Sequence, residues 1–288
     1  MSIVSGKKYA VFTMDVEEFS DTECISNSGT KVGVDMLDGL DEYVKLLEKH
    51  GIRATMFTVC HAAQIIKDKV SKYVSRGHSV ALHGYTHTPP VLLDDVRFRE
   101  ETLRAKRMLE SEFKTEVRGY RAPCFGLDNS KLNILRELGF KYDSSHLDFT
   151  AARHHVDMDM SGFKEILSGV FCRKGFYEFG ITCRKFMGKT FPISGGGYVR
   201  MGNWNFMKTA IGQYLRENNY YVFYLHPFEM SKEKVPQIKN LKLHDKIYLS
   251  YGINTYKAKI EAIILMLKAA GYEFVTFDEL TDIMERGA

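Results

Sequence analysis

Short apolar runs alternate with stretches of helical periodicity along most of the chain. Residues 9–14 (YAVFTM) predict a buried strand, and Asp15 follows at once. Over 34–50, Met36, Leu37, Leu40, Val44 and Leu47 recur on one side of a helix that Gly51 stops. A second strand is predicted over 52–59, a helix over 62–76 closed by Gly77, and a third strand over 79–82. A charged helix over 94–114 and a short strand over 117–122 follow. Asp128 or Asn129 caps the next helix, which runs to Leu138, and residues 140–142 form another short strand. From 143 to about 204 the rhythm breaks. Strands are predicted near 176–181 and 197–201 inside an irregular insertion of the kind that often forms a binding surface. Regularity returns with a helix over 205–218, a strand over 221–225, a Lys-rich loop over 231–246, a helix over 255–270, a strand over 273–276 and a helix over 278–286. This repeated strand-then-helix order predicts one α/β domain over residues 1–288, folded as a distorted barrel.

Four of these strands run straight into polar residues. They end at Asp15-Val16-Glu17-Glu18, at His83-Gly84-Tyr85-Thr86-His87, at Arg121-Ala122-Pro123 and at His226-Pro227-Phe228-Glu229. In parallel α/β barrels the active site lies at the carboxyl ends of the strands, so in one barrel these groups converge. His83 and His87 stand four apart, but Gly84, Thr86, Pro89 and Pro90 disfavour a helix. The pair reads as a turn at a strand end, not as the helical zinc motif of the same spacing. Asp15 and Glu17, two apart, point the same way in extended chain. One could ligate a metal with the two imidazoles while the other works as a base. Two nitrogens and one oxygen leave a position for water, the arrangement of a catalytic site. Arg121 would hold a catalytic aspartate ionised, and His226 at a strand mouth suits a general acid.

Further candidates are weaker. Ser194-Gly195-Gly196-Gly197-Tyr198 is a candidate substrate loop, because consecutive glycines admit close approach of backbone to a ligand; a tight turn is the plainer reading. Trp204 could stack on a sugar or pack on the core. Asp143 and Glu229 are candidate partners behind a histidine. A rival cluster, His154, His155, Asp157 and Asp159, reads as an exposed loop, since adjacent histidines do not easily chelate one ion.

Composition narrows the function. The chain has 288 residues, 44% hydrophobic and 26% charged, with a net charge of +4. No long basic block occurs, which argues against nucleic acid as a partner. The first residues do not read as a secretory signal, and no apolar span reaches the length of a membrane helix. Five cysteines without a Cys-x-x-Cys are best read as free thiols, so a cytoplasmic location is expected. Nothing in the residues sets an oligomeric state.

The order Thr13-Met14-Asp15, His83-x-x-x-His87, Arg121-x-Pro123 and Leu225-His226 resembles the polysaccharide deacetylases of carbohydrate esterase family 4, the NodB-homology domain. The resemblance runs from about residue 8 to 277. It implies a distorted (β/α)7 barrel and metal-dependent removal of N-acetyl groups from an amino sugar of a bacterial surface polysaccharide or its precursor. Val16 stands where many members carry a second aspartate. Asp15-Val16-Glu17 is instead similar to a subset with an Asp-x-Asp or Asp-x-Glu pattern, as are residues 191–198 and 224–229. The resemblance therefore implies that Glu17, His83 and His87 hold a divalent metal, zinc first, with cobalt, nickel or manganese as alternatives. It makes Asp15 the base, His226 the acid, Arg121 the orienter of Asp15, and the backbone N–H of Cys124 an oxyanion donor. The N-acetylated sugar could be nucleotide- or lipid-linked. Opening of a cyclic amide or ureide by the same site, and a carbohydrate-binding relative without catalysis, are the alternatives.

Overall fold

A computed structural model of the chain describes residues 6–149, 154, 156, 158–238 and 241–287. The organising strand is β1 (Lys8–Val16). It is followed by α1 (Glu23–Ser28), α2 (Asp38–Lys49), β2 (Ala54–Thr58), α3 (Lys67–Val74), β3 (Ser79–Leu82), α4 (Asp95–Phe113), β4 (Gly119–Tyr120), α5 (Asn129–Glu137) and β5 (Tyr142–Asp143). Next come β6 (Lys164–Leu167), β7 (Val170–Arg173), β8 (Phe176–Phe179), β9 (Cys183–Phe186) and β10 (Lys189–Pro192). The chain closes with α6 (Gly196–Met201), α7 (Trp204–Glu217), β11 (Tyr220–Phe223), α8 (Leu243–Ser250), α9 (Ile253–Ala269), β12 (Tyr272–Phe274) and α10 (Phe277–Gly287).

β1 pairs in parallel with β11 on one side, and with β12 and then β2 along its length on the other. The parallel ladder continues through β3, β4 and β5 to β8. Between β8 and β11 irregular chain fills the gap: the Thr182 hydroxyl accepts from Val222 N–H, and Gly195 bridges Tyr224. The sheet is thus a curled, incompletely closed barrel with helices outside. This architecture explains why β1 is apolar at every position from Tyr9 to Phe12. Tyr9 and Val11 join Phe57, Tyr142, Phe179 and Phe277 in one cluster, while Ala10, Phe12 and Met14 meet Leu40, Val44 and Ile260 in the other. A strand of a parallel sheet is covered on both faces, so both sets of positions are apolar up to Phe12, and the polar Thr13 and Asp15 near its carboxyl end are buried against Arg121.

Residues 143–204 depart from expectation. The segment is not irregular: β6, β7 and β8 form an antiparallel meander that β8 joins to the parallel sheet, and β9 and β10 form a separate hairpin. Lys174-Gly175 and Met187-Gly188 both have positive φ at both residues, the signature of two-residue hairpin turns. Their four-residue strands are too short and too charged for period-two alternation to stand out. Residues 197–201, expected as a strand, belong to α6. The backbone at Gly195 (φ 120°) packs on β11 so closely that a Cβ would lie 1.9 Å from the Tyr224 carbonyl oxygen, and the chain turns there into a helix. The expected loop over 231–246 gives way to α8 from Leu243, and α1 was not foreseen. No helix among the described residues is long and apolar enough to cross a membrane.

Candidate active site

The four polar strand ends meet. Beyond β3 the ladder continues for one more step: His83 N–H donates to Thr58 O at 2.9 Å and Cys60 N–H to Gly84 O at 3.0 Å. This seats His83 beside the end of β2, one strand over from β1. Gly84 (φ 88°) turns the chain there; a Cβ on it would lie 3.0 Å from the Thr86 carbonyl oxygen. His87 comes back over Glu17. Its Nε2 is 2.7 Å from Glu17 Oε2, and the Nε2 of His83 is 3.6 Å from the same oxygen.

These three side chains fit a divalent cation. Their ligand atoms lie within 4.8 Å of one another. Glu17 Oε2 is buried and has no hydrogen bond of acceptable geometry, so two imidazoles crowd an oxygen that none of them satisfies. His83 Nδ1–H donates to the Arg121 carbonyl at 2.9 Å, which leaves the lone pair of Nε2 facing the cluster. Burial alone would push the Glu17 carboxyl up; the charges of His87 and His226 outweigh it and hold Glu17 well below the usual carboxylate range.

Arg121 is fully buried, and its five donors explain its place. NH1 donates to Asp15 Oδ1 at 2.7 Å and to Thr13 Oγ1 at 2.8 Å, while Nε and NH2 reach the carbonyl and hydroxyl of Ser144. The guanidinium also lies 4.0 Å above the Phe57 ring. Asp15 is thereby held by a buried ion pair, two residues before Glu17 of the carboxylate–imidazole cluster.

His226 has a second relay behind it. Its Nδ1–H donates to Glu229 Oε2 at 3.1 Å, and the Arg200 Nε–H donates to Glu229 Oε1 at 2.7 Å. Arg200 is fully buried and its other donors bond the carbonyls of Tyr248 and Tyr251. Burial lowers the affinity of His226 for its proton, but Glu17, Glu229 and Asp15 raise it, to a pKa of about 9. Glu229 was expected behind a histidine and is there. Arg200 was missed, because a lone arginine in a short helix carries no local mark of burial.

Asp143 does not back a histidine. It is paired with Glu178 of β8, both fully buried. Ser145 N–H donates to both carboxylates, and Ser145 Oγ–H donates to Asp143 and accepts from Ala122 N–H at 2.9 Å. The pair therefore braces the loop that carries Arg121. Burial pushes Asp143 up to about 6, and burial with the Asp143 charge drives Glu178 well above the carboxylate range. Arg121 is the cation felt by Asp143. The raised carboxyls keep a proton at pH values where ordinary carboxylates have lost theirs, and the sign for stability follows. The folded protein binds that proton more tightly than the unfolded chain, whose carboxyls titrate near 4, so stability is full below that pH and declines as pH rises through the folded values. Stability should fall from pH 5 to 8, by up to about 1.4 kcal/mol per pH unit from this pair, with His226 adding a loss of the same sign above about pH 6.5. Glu178→Gln, which removes one of the two acids, should flatten the slope between about pH 5 and 6.5. Equal slopes over that range in thermal melts of the two proteins would remove the pair as its source.

Cys124 adopts φ 54° and Phe125 φ 58°, a left-handed pair without glycine in the turn after Arg121. Such backbone costs on the order of 1–3 kcal/mol per residue and concentrates at functional sites. The Cys124 thiol groups with Glu23 and His154, whose Nε2 lies 3.1 Å from Glu23 Oε1. His154 is thus half-buried and not part of an exposed loop; Asp159 bonds Ser161 locally, and His155 and Asp157 lie outside the described residues. The glycine-rich stretch is corrected as well. Ser194, Gly195 and Gly196 are buried against Tyr224 and cannot meet a substrate; Tyr198 is the exposed member, its ring against Phe149. Trp204 packs on the core with Lys259 over its ring.

The model of the family described as "Polysaccharide deacetylase" matches residues 35–142, the span that contains His83, His87 and Arg121. Over that span the chain is similar to the polysaccharide deacetylase family, whose NodB-homology motifs its strand ends resemble. A second model, "Domain of unknown function (DUF3473)", matches residues 154–282, which contain Glu178, Arg200, His226 and Glu229. Asp15 and Glu17 precede both. A Helicobacter pylori protein named "Peptidoglycan deacetylase" is 30% identical over 114 residues, 39% of this chain and 39% of that protein. The match therefore spans well under half of that relative. A crystal structure described as a polysaccharide deacetylase from Mycobacterium smegmatis superposes with a TM-score of 0.63 at 17% identity, over 99% of this chain and 93% of the other. Puue allantoinase gives 0.59 at 15% identity, over 98% and 92%. At such identities the likeness is one of fold, and it matches the curled barrel described above.

Proposed function

We propose that the chain is a metal-dependent N-deacetylase acting on an amino sugar of a bacterial surface polysaccharide or its precursor. The observation that carries this reading is the meeting of three groups at one end of the barrel: the Glu17–His83–His87 donor set, the Asp15–Arg121 ion pair and the Glu229-backed His226. A carboxylate and two imidazoles suit zinc, with cobalt, nickel or manganese as alternatives. When bound, the cation supplies Lewis acidity toward the acetyl carbonyl and lowers the pKa of water, to about 7 at zinc.

The side chains do the rest. Arg121 aims Asp15, and Asp15 takes the proton of the attacking water. The Cys124 N–H donates to the oxyanion of the tetrahedral intermediate, a contact of a type worth roughly 3–4 kcal/mol. His226, its Nδ1 anchored on Glu229, gives the proton of its other nitrogen to the departing amine. The C–N bond breaks, and acetate and a free amino sugar leave. In this reading residues 1–288 form one catalytic unit, because the residues matched by the DUF3473 model supply the acid and the braces for a site whose metal ligands lie outside it. The five free thiols support a reducing, cytoplasmic setting and thus a nucleotide- or lipid-linked precursor.

The test is mass spectrometry of N-acetylated sugars, free, nucleotide-linked and lipid-linked, incubated with the protein and added zinc, cobalt or nickel. Loss of one acetyl group with release of acetate is expected. Ring opening of a cyclic ureide without acetate release would reassign the site to the cyclic-amide reaction, and bound metal without turnover on any substrate would make it a binding protein.

A further inference from the structure

The β9–β10 hairpin carries a feature that folding does not explain. Its two-residue turn is Met187-Gly188, with φ 47° and 79°. Turns of this hand call for asparagine, aspartate or glycine at the first position, and a long apolar side chain there is strained. Met187 recovers nothing by packing, since it is 88% exposed. Phe186 beside it is 51% exposed and Phe206 of α7 43% exposed. These are not stray side chains. Phe206 sits 5.8 Å from the Phe186 ring and 5.5 Å from that of Phe191, so the hairpin is fixed on α7 and presents one apolar tip.

The charges around this tip are basic. Lys185 and Lys189 flank it and are exposed, Lys208 lies two residues past Phe206, and Arg184 stands one residue further down the strand. The acids on its flank are engaged: Glu217 pairs with Arg184 at 3.3 Å, and Asp148 accepts from Thr190. An apolar and aromatic tip inside a ring of lysines is complementary to the headgroup region of an anionic bilayer. Lysine stems lie along the acyl boundary there while their ammonium groups reach phosphates.

We propose that the β9–β10 hairpin anchors the protein on an anionic membrane surface by inserting Met187 and Phe186 among the lipid headgroups. The purpose of the anchor rests on the proposed reaction, for which it would hold the site next to a lipid-linked sugar. Its binding is measured without turnover, so the two readings fail separately.

The experiment is co-sedimentation of the whole chain with phosphatidylcholine vesicles, with and without phosphatidylglycerol. Binding to the anionic vesicles alone is expected. Met187→Asn puts a favoured residue in the turn, so the fold should be kept or gain stability, while vesicle affinity falls by about tenfold. Lys185→Glu and Lys189→Glu should each weaken binding about fivefold or more. All variants should deacetylate a water-soluble substrate as the parent does. Absence of binding to anionic vesicles, or undiminished binding by the Met187→Asn protein, overturns the proposal. Concentration-dependent dimers in sedimentation velocity that vanish with Met187→Asn would also overturn it, by giving the tip to a second copy of the chain.

Discussion

Asp15→Asn is expected to keep the metal and lower kcat by about 10²–10⁴-fold, the range attributed to a positioned general base. Asparagine is the informative choice. Its Oδ1 can still accept from Arg121 NH1, a contact of 2.7 Å in the parent, whereas alanine would leave a fully buried guanidinium without its counter-ion. Breaking a buried pair in that way costs about 3–5 kcal/mol and would confuse folding with catalysis. Metal content by elemental analysis, melting temperature and kcat should therefore be read together. Loss of turnover with metal and stability retained supports the assignment. Retained turnover at the parent rate would mean that another group takes the proton, and loss of the metal would make Asp15 a ligand.

His83→Ala or His87→Ala should abolish metal content and turnover together. Three donors within 4.8 Å of one another form the minimum set, and the loss of one leaves a carboxylate and a single imidazole. The two positions are not equivalent in the fold. His83 is buried and bonded to the Arg121 carbonyl, so its removal also loosens the loop that carries Arg121. His87 lies nearer the rim and is the cleaner probe. A binding readout avoids reliance on activity: ligand that binds only the folded protein raises its melting temperature, by about 4 kcal/mol of stability at a thousandfold excess over Kd. Added zinc should raise the melting temperature of the parent and leave that of either variant unchanged. Full turnover in either alanine variant would rule out this metal centre.

Much of this site was legible residue by residue. The apolar run of β1 ending at Asp15 and Glu17, the turn from His83 to His87, and the short strands ending at Arg121 and His226 all lie where periodicity and turn residues placed them. The missing parts share a character. β6, β7, β9 and β10 are four-residue strands rich in lysine, arginine and cysteine, whose pairing is set by turns such as Met187-Gly188 and not by apolar alternation. Residues 197–201 looked like a strand because Tyr198, Val199 and Met201 suit one; the packing of Gly195 on Tyr224 made them a helix.

The chain on its own therefore settled which reactive groups stand at strand ends, since a parallel barrel must bury both faces of its strands and expose their carboxyl ends. Tertiary structure alone chose the partners of the buried charges. Arg121 reaches Asp15 across 106 residues, Glu178 lies beside Asp143 on the neighbouring strand, and Arg200 steadies Glu229. A charge can stay in the interior only with a counter-charge or proton beside it. Nothing in the local sequence tells such a residue from one that faces water, because the partner that makes burial tolerable comes from a distant element.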